Sequence, residues 1–357
     1  SPGTYRIWTD ARDKGYMAQG YEGKQRWEQG DPVSVGERDD LTGIDFVLPL
    51  GATISGTVFD ADTGLPIPKA DVNVDFPYGG SYADTRTDSQ GRYIIRGNSP
   101  GGYVIGAGAP DQGYAWEYHD GRLRRNDADL VFVNERDNVT GIDFYLETGG
   151  TISGTVRDAD TGLPIFGVDV HAEFDDGEFA TNAQTDFQGR YTLSGLGPDS
   201  YRIAAGASDQ GYLYTFYPDG QTWEDTEMVH VGEAQDVTDI DIWLETGATI
   251  SGRVLDNETG LPVPDVNVQA DIDEGGAYTE TWTDSQGRYS LTALPPGRYR
   301  VWANAYERGY VEQFYEGRTR WDDADLIFIT GREEVRDIDF GLSQGGSISG
   351  IVRDAET

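Results

Sequence analysis

The chain contains no cysteine, which excludes a disulfide framework and any thiol chemistry. Histidine is nearly absent: His119, His171 and His230 are the whole supply. Zinc catalysis needs three converging ligands, and these three fall at unrelated places in the chain. Basic residues are outnumbered, 27 Lys and Arg against 63 Asp and Glu, for a net charge of −36. Phosphate recognition requires clustered Lys and Arg, so nucleic acid is excluded as a partner. The negative charge suits solubility, mutual repulsion between filaments, or divalent cations. Apolar runs are too short for a membrane-spanning helix, and no signal peptide is visible. No stretch sustains a helical period.

What the chain does have is a repeat. The stretch 149–164 (GGTISGTVRDADTGLP) recurs almost unchanged at 51–66 and 247–262. A fourth copy opens at Gly345. The inner glycines Gly56, Gly154, Gly252 and Gly350 stand 98 residues apart each time. Equal intervals without insertion identify a repeat protein. The expected organisation is three complete units, 51–148, 149–246 and 247–344, each long enough to bury its own core. Residues 1–50 align with the second half of a unit, and residues 345–357 with its first strand. A chain that starts and stops in mid-repeat is expected to be a window on a longer array.

Within a unit, apolar and polar residues alternate with strand periodicity. In 51–148 the first strand places Ile54, Gly56 and Val58 on one face, and the second turns Val72, Val74 and Phe76 inward. A third strand spans 81–87 and turns at 88–91. Tyr93 and Ile95 mark the fourth strand, and Tyr103, Ile105 and Ala107 the fifth. After an aromatic crossover (113–129) come a sixth strand with Val131 and Val133 and a seventh with Ile142, Phe144 and Leu146. Sister units identify the buried face. Val131 is matched by Val33, Val229 and Ile327, whereas Phe132 is matched by Ser34, His230 and Phe328, the mark of an outer face. Seven short strands with frequent turns predict an all-β fold, a β-sandwich per unit. Only two glycines separate the last strand of one unit from the first of the next, unlike a long flexible linker. Successive sandwiches should touch in a rod-like array, each unit adding roughly 30–40 Å on the basis of strand rise.

Four blocks, ISGTVFDADTGLPI (54–67), TDSQGRY (87–93), PGRYRV (296–301) and GIDFYL (141–146), resemble the carboxypeptidase regulatory-like domain. The resemblance extends over every unit. It implies a seven-stranded, transthyretin-like (prealbumin-like, Ig-like) sandwich. It implies little about function, because such domains serve as appendages, spacers, stalks and binding modules. Tandem copies are similar to repeat regions of large microbial surface or secreted proteins. Related sandwiches can be locked by Lys–Asn isopeptide bonds, but Lys14, Lys24 and Lys69 are replaced by Gln112, Arg122 and Gly167 one unit on, which excludes a repeated lock.

Calcium is the serious cofactor candidate, although none is required by the pattern. Asp60 and Asp62, Asp158 and Asp160, and Asp256 and Glu258 pair carboxylates in a turn rich in carbonyls. Asp88, Asp186 and Asp284 recur in a hairpin turn. Hard oxygen ligands on loops are what Ca²⁺ takes; the same carboxylates can instead shape their own turns by accepting N–H bonds. Aromatic residues form a second candidate set. Trp27, Trp223 and Trp321 share one repeat position, with Arg125 in the remaining unit; Tyr16, Tyr114, Tyr212 and Tyr310 share another. Such rings pack a crossover onto its sandwich, glue neighbouring copies together, or stack on sugars.

Two hydrolase-like motifs are judged by their sister positions. The 97–101 stretch GNSPG matches a nucleophile elbow, but Ser99 is replaced by Gly197 and Pro295. His230-Val-Gly-Glu233 imitates half of a metallocarboxypeptidase motif, with Ser34, Phe132 and Phe328 in place of His230. The sequons at Asn138 and Asn257 are not equivalent positions. The reading that follows is a non-catalytic, extracellular stalk or filament that self-associates. The alternatives are an adhesin-like or glycan-binding array, or an appendage of a secreted hydrolase.

Overall fold

The structure, a computed structural model, describes residues 3–24, 30–36, 40–77, 81–223, 226–273 and 278–346. It is all-β, and among the described residues the only helical segments are short 3₁₀ turns. Unit 149–246 serves as the reference. Its strands are β1 (Gly150–Asp158), β2 (Asp169–Glu173), β3 (Phe179–Gln184), β4 (Arg190–Leu196), β5 (Asp199–Ala207), β6 (Tyr212–Phe216), β7 (Met228–Val231), β8 (Asp236–Val237) and β9 (Ile242–Leu244). One sheet runs β4–β1–β8, with β9 also on β1; the other runs β3–β2–β5–β6, with β7 also on β5. β1 is antiparallel to β4 and parallel to β8 and β9. The complete units on either side repeat this order.

All seven expected strands are present, and two short ones join them. β6 lies inside the aromatic crossover. It exists because β7 pairs only with the 199–202 half of β5, leaving the main-chain groups of the other half to be satisfied. β6 supplies them, pairing Phe216 with Ala204 and Tyr212 with Ala207. β8 likewise continues the parallel edge beside Thr151 and Ile152.

Alternation converts directly into a two-sheet core. In the reference unit Ile152, Val156, Val170, Leu193, Ile203, Val231, Ile242 and Leu244 are fully buried. Each complete unit has its own cluster, none sharing a residue with the next. Phe132 and Phe328 are 69% and 62% exposed, as the sister comparison predicts for the outer face. Phe76 departs from the expected pattern. It is 43% exposed, although its ring still lies 5.8 Å from that of Tyr103. Its counterpart Phe174 is buried, with the Arg124 guanidinium of the preceding unit 4.7 Å from its ring centre.

The invariant inner glycine has a clear cause. A Cβ on Gly154 would lie 1.9 Å from the Ile240 carbonyl oxygen; for Gly56 and Gly252 the corresponding distances to Ile142 and Ile338 are 1.8 and 2.0 Å. That carbonyl is held in place by a buried tyrosine: Tyr191 OH donates to Ile240 O at 2.6 Å, as Tyr93 and Tyr289 do in the sister units. The segment leading into the last strand is thus sunk into β1 where a side chain would otherwise stand.

Candidate functional site

The first carboxylate set sits in the turn after β1. Asp158 Oδ1 accepts the Thr161 N–H at 2.6 Å, the Thr161 hydroxyl at 2.8 Å and the Asp160 N–H at 3.0 Å, while Oδ2 accepts Tyr212 OH at 2.8 Å. Asp256 does the same with Thr259, Glu258 and Tyr310. Asp60 accepts the Thr63 N–H at 2.7 Å and Tyr114 OH at 2.6 Å. These donors hold all three below the usual carboxylate range: chiefly the tyrosine hydroxyl for Asp60 and Asp256, the latter brought down to about 2, and the Thr161 N–H for Asp158. Asp62, Asp160 and Glu258 are exposed in the same turns, and Asp160 is ion-paired with Arg332 of the following unit.

The second set caps the β3–β4 hairpin. Asp88 accepts the Gln90 and Arg92 N–H groups at 2.8 and 3.0 Å and pairs with the Arg92 guanidinium at 2.9 Å. Asp186 and Asp284 repeat the backbone pattern with Gln188 and Arg190, and with Gln286 and Arg288. All three carboxyls are lowered by these contacts. Among the described residues no group of three or more His, Asp or Glu side chains is arranged to hold a metal ion. The threonine that precedes each Asp has a role that its recurrence alone does not reveal. Thr185 is buried, its hydroxyl donating to Ile165 O at 2.7 Å and accepting the Val168 N–H at 2.9 Å. Thr87 and Thr283 do the same. The signal was present as a Thr recurring beside every turn Asp.

The aromatic set divides. Tyr114, Tyr212 and Tyr310 spend their hydroxyls on Asp60, Asp158 and Asp256, and their main chains bridge to Thr148, Thr246 and Gln344 at the end of each unit. Tyr16 makes the same bridge to Leu50 and is 38% exposed; residues 1–50 include no counterpart of Asp60. Trp223 lies edge-on to Phe216, with the Arg202 guanidinium 3.4 Å from its ring centre. Trp321 packs edge-on to Trp302 at 5.3 Å, with Arg300 at 5.1 Å. Trp27 falls outside the described residues. Arg125 takes the tryptophan position in 51–148 and reaches Asp75 and the Phe76 carbonyl.

The junction is built mostly from main chain. Gly149 N–H donates to Gly113 O at 2.9 Å and Ala115 N–H to Glu147 O at 2.9 Å. The same pair of bonds recurs at Gly51 and Met17, at Gly247 and Leu213, and at Gly345 and Val311. Each linker is therefore strapped to the crossover of the preceding unit. The following unit then closes on it: a Cβ on Gly149 would meet Gly195 Cα at 2.8 Å, and one on Gly195, at φ +72°, would meet Pro110 Cβ at 2.8 Å. Ala293 occupies the Gly195 position at the next junction and keeps φ at +58°. Side chains add unequal fasteners. Arg124 pairs with Asp199 at 3.0 Å and Asp175 at 2.5 Å, whereas Arg332 reaches back to Asp160 and Glu245, and Thr292 to Ser208 O.

The hydrolase-like residues do not assemble. Ser99 lies at a strand corner, where its carbonyl accepts Tyr103 OH at 2.7 Å. His230 contacts Ser200 on the outer face at 3.3 Å, and His171 contacts Tyr214.

Topology, core and turns define a tandem array of β-sandwiches whose recurring polar residues are engaged in turns and junctions. The sequence model of the carboxypeptidase regulatory-like domain matches residues 53–124, 151–240 and 249–317. The chain belongs to that family. No curated protein matches the sequence. Among solved structures it is similar to the Bacillus anthracis TIE protein, at 14% identity and a TM-score of 0.24, covering 82% of this chain and 50% of that one. A streptococcal ancillary pilin gives 13% and 0.31, with 82% and 98% covered. BcpA, the major pilin subunit of Bacillus cereus, gives 10% and 0.21, with 82% and 99% covered. The chain thus spans half the length of the TIE protein. Similarity at this level carries no functional argument.

Proposed function

We propose that the chain is a non-catalytic structural repeat region of an extracellular or cell-surface protein. It acts as a semi-rigid rod of sandwiches that forms a stalk or, by self-association, a filament. One observation carries the reading: at every junction the linker is hydrogen-bonded to the crossover of the preceding unit, Gly149 N–H to Gly113 O being the reference case. A flexible tether leaves its amides to water and its two domains apart. Here the linker has no slack, and the next unit packs on it through glycine. The net charge of −36 supports the same reading, since like-charged rods stay soluble and spaced.

The glycan-binding alternative rests on Trp223 and Trp321, which are 38% and 37% exposed. Arg202 and Arg300 lie over those rings, so a sugar would have to displace a guanidinium before stacking. Small-angle X-ray scattering tests the rod. Expected is a constant cross-section and a pair-distance distribution with a long linear tail. A profile of sandwiches tumbling independently overturns the proposal.

A further inference from the structure

The crossover strand Tyr114–Tyr118 carries a residue, Glu117, that two of its three sister positions explain; the third, Thr215, turns its hydroxyl to Leu213 O instead. In unit 247–344 this position is Gln313, which grips one residue of the last strand twice: its amide donates to Gly341 O at 2.9 Å and its Oε1 accepts the Gly341 N–H at 3.1 Å. In residues 1–50 it is Gln19, which donates to Val47 O at 2.9 Å. In unit 51–148 it is Glu117, whose Oε1 accepts the equivalent Tyr145 N–H at 3.1 Å. An ionised carboxylate has no hydrogen to give the Tyr145 carbonyl; a protonated one has.

The surroundings favour the proton. Glu117 lies in a cleft of about 480 Å³ that also takes in Pro198 of the next unit. His119, Asp120, Asp143 and Glu147 line the same cleft. The neighbouring strand Gly101–Ala109 carries no charge, and Arg190, the one charged residue on the facing Arg190–Leu196 strand, is paired with Asp186. Burial, with Glu147 adding repulsion, pushes the Glu117 carboxyl up to about 7, against the Tyr145 N–H, which pulls the other way. The strand it sits on also forms the junction: the Tyr114 carbonyl stands 3.0 Å from a Cβ placed on Gly195.

We propose that Glu117 is a proton-operated latch on the junction between units 51–148 and 149–246, fastening the crossover to both polar groups of Tyr145 when protonated and to one when ionised. The sign follows from linkage. The carboxyl binds its proton more tightly when docked than when released, so the latch is strongest in acid and weakens as pH rises towards the docked value.

Amide hydrogen exchange tests this, with the Gly341 amide, bound by the non-titrating Gln313, as internal reference. Expected is a loss of Tyr145 protection relative to Gly341 of up to tenfold per pH unit between about pH 5 and 7, levelling above that. Glu117→Gln should make the ratio independent of pH and match the acidic wild type. Glu147→Gln, by removing the neighbouring charge, should bring the levelling to lower pH. A wild-type ratio that does not change across this range, or one that changes equally in Glu117→Gln, overturns the proposal.

Discussion

Gly154→Ala tests the central packing claim, that the last strand is seated by a carbonyl lodged where a side chain would be. The new Cβ would lie 1.9 Å from Ile240 O, so the segment must retreat by roughly 1 Å in a core packed to crystal-like density. That segment is pinned by Ile240 N–H to Ser153 O at 3.1 Å, by the Thr155 N–H to Asp241 at 2.8 Å, and by the buried Tyr191 hydroxyl at 2.6 Å. Losing the tyrosine bond and stranding its hydroxyl costs about 1–3 kcal/mol, and overpacking adds about 1–3 kcal/mol. The expected total is about 2–6 kcal/mol, a large part of the stability of a domain this size. At about 4–8 °C per kcal/mol, a middle value of about 4 kcal/mol should lower the melting of the affected unit by roughly 16–32 °C.

Differential scanning calorimetry reads this directly. Since each complete unit has a separate core, one unit's share of the heat should move to lower temperature while the rest stays. Tyr191→Phe alone should cost less, and the double variant should fall short of the sum, because both changes release the same carbonyl. Melting of Gly154→Ala within about 2 °C of the parent would refute the reasoning, since so small a shift corresponds to well under 1 kcal/mol.

Two further expectations concern the turn carboxylates. Asp60, Asp88, Asp158, Asp186, Asp256 and Asp284 are all held below their unfolded values; their stabilisation is complete above about pH 4 and lost as pH falls through the folded values, about 2 for Asp256. Melting temperature should therefore decline between pH 4 and 2, and a flat profile there would contradict the hydrogen-bond assignments. With the turn carboxylates already engaged by N–H and O–H donors, treatment with EDTA should leave the melting curve where it stands in millimolar Ca²⁺. A higher melting temperature in Ca²⁺ would assign the turns to the ion instead.

Much of this architecture is legible in the sequence, because a repeat supplies its own comparison. Alternation locates the seven main strands, and the sister residues of Phe132 identify the outer face. The turn aspartates are visible as a pattern. What they bind is not, because Tyr212 lies 54 residues from Asp158 and only the folded crossover brings them together. The crossover strand is hidden for a similar reason: it forms to satisfy β5, and its own residues show little alternation. Gly154 is legible as a recurrence but not as a cause, since the carbonyl that demands it comes from position 240. Features confined to one unit, such as the Arg124–Asp199 pair, escape altogether, because no sister position repeats them.

That division between repeated and unrepeated contacts decides what orders the junctions. The fasteners differ from one junction to the next: Arg124 with Asp199 and Asp175 at one, Arg332 with Asp160 and Glu245 at another. Exposed ion pairs such as Arg332–Glu245 are worth about 0–1 kcal/mol and are weakened by salt. The main-chain straps recur at all four linkers with donor–acceptor distances of 2.8 to 3.0 Å. At the two junctions linking the complete units, a Cβ placed on the linker glycine would lie within 3 Å of main chain in the unit that it opens, at Gly195 or Ala293. Contacts that are short-ranged, uncharged and identical from joint to joint are the ones able to give successive sandwiches the same relation. The arginines can then vary freely, trimming individual joints without resetting the geometry.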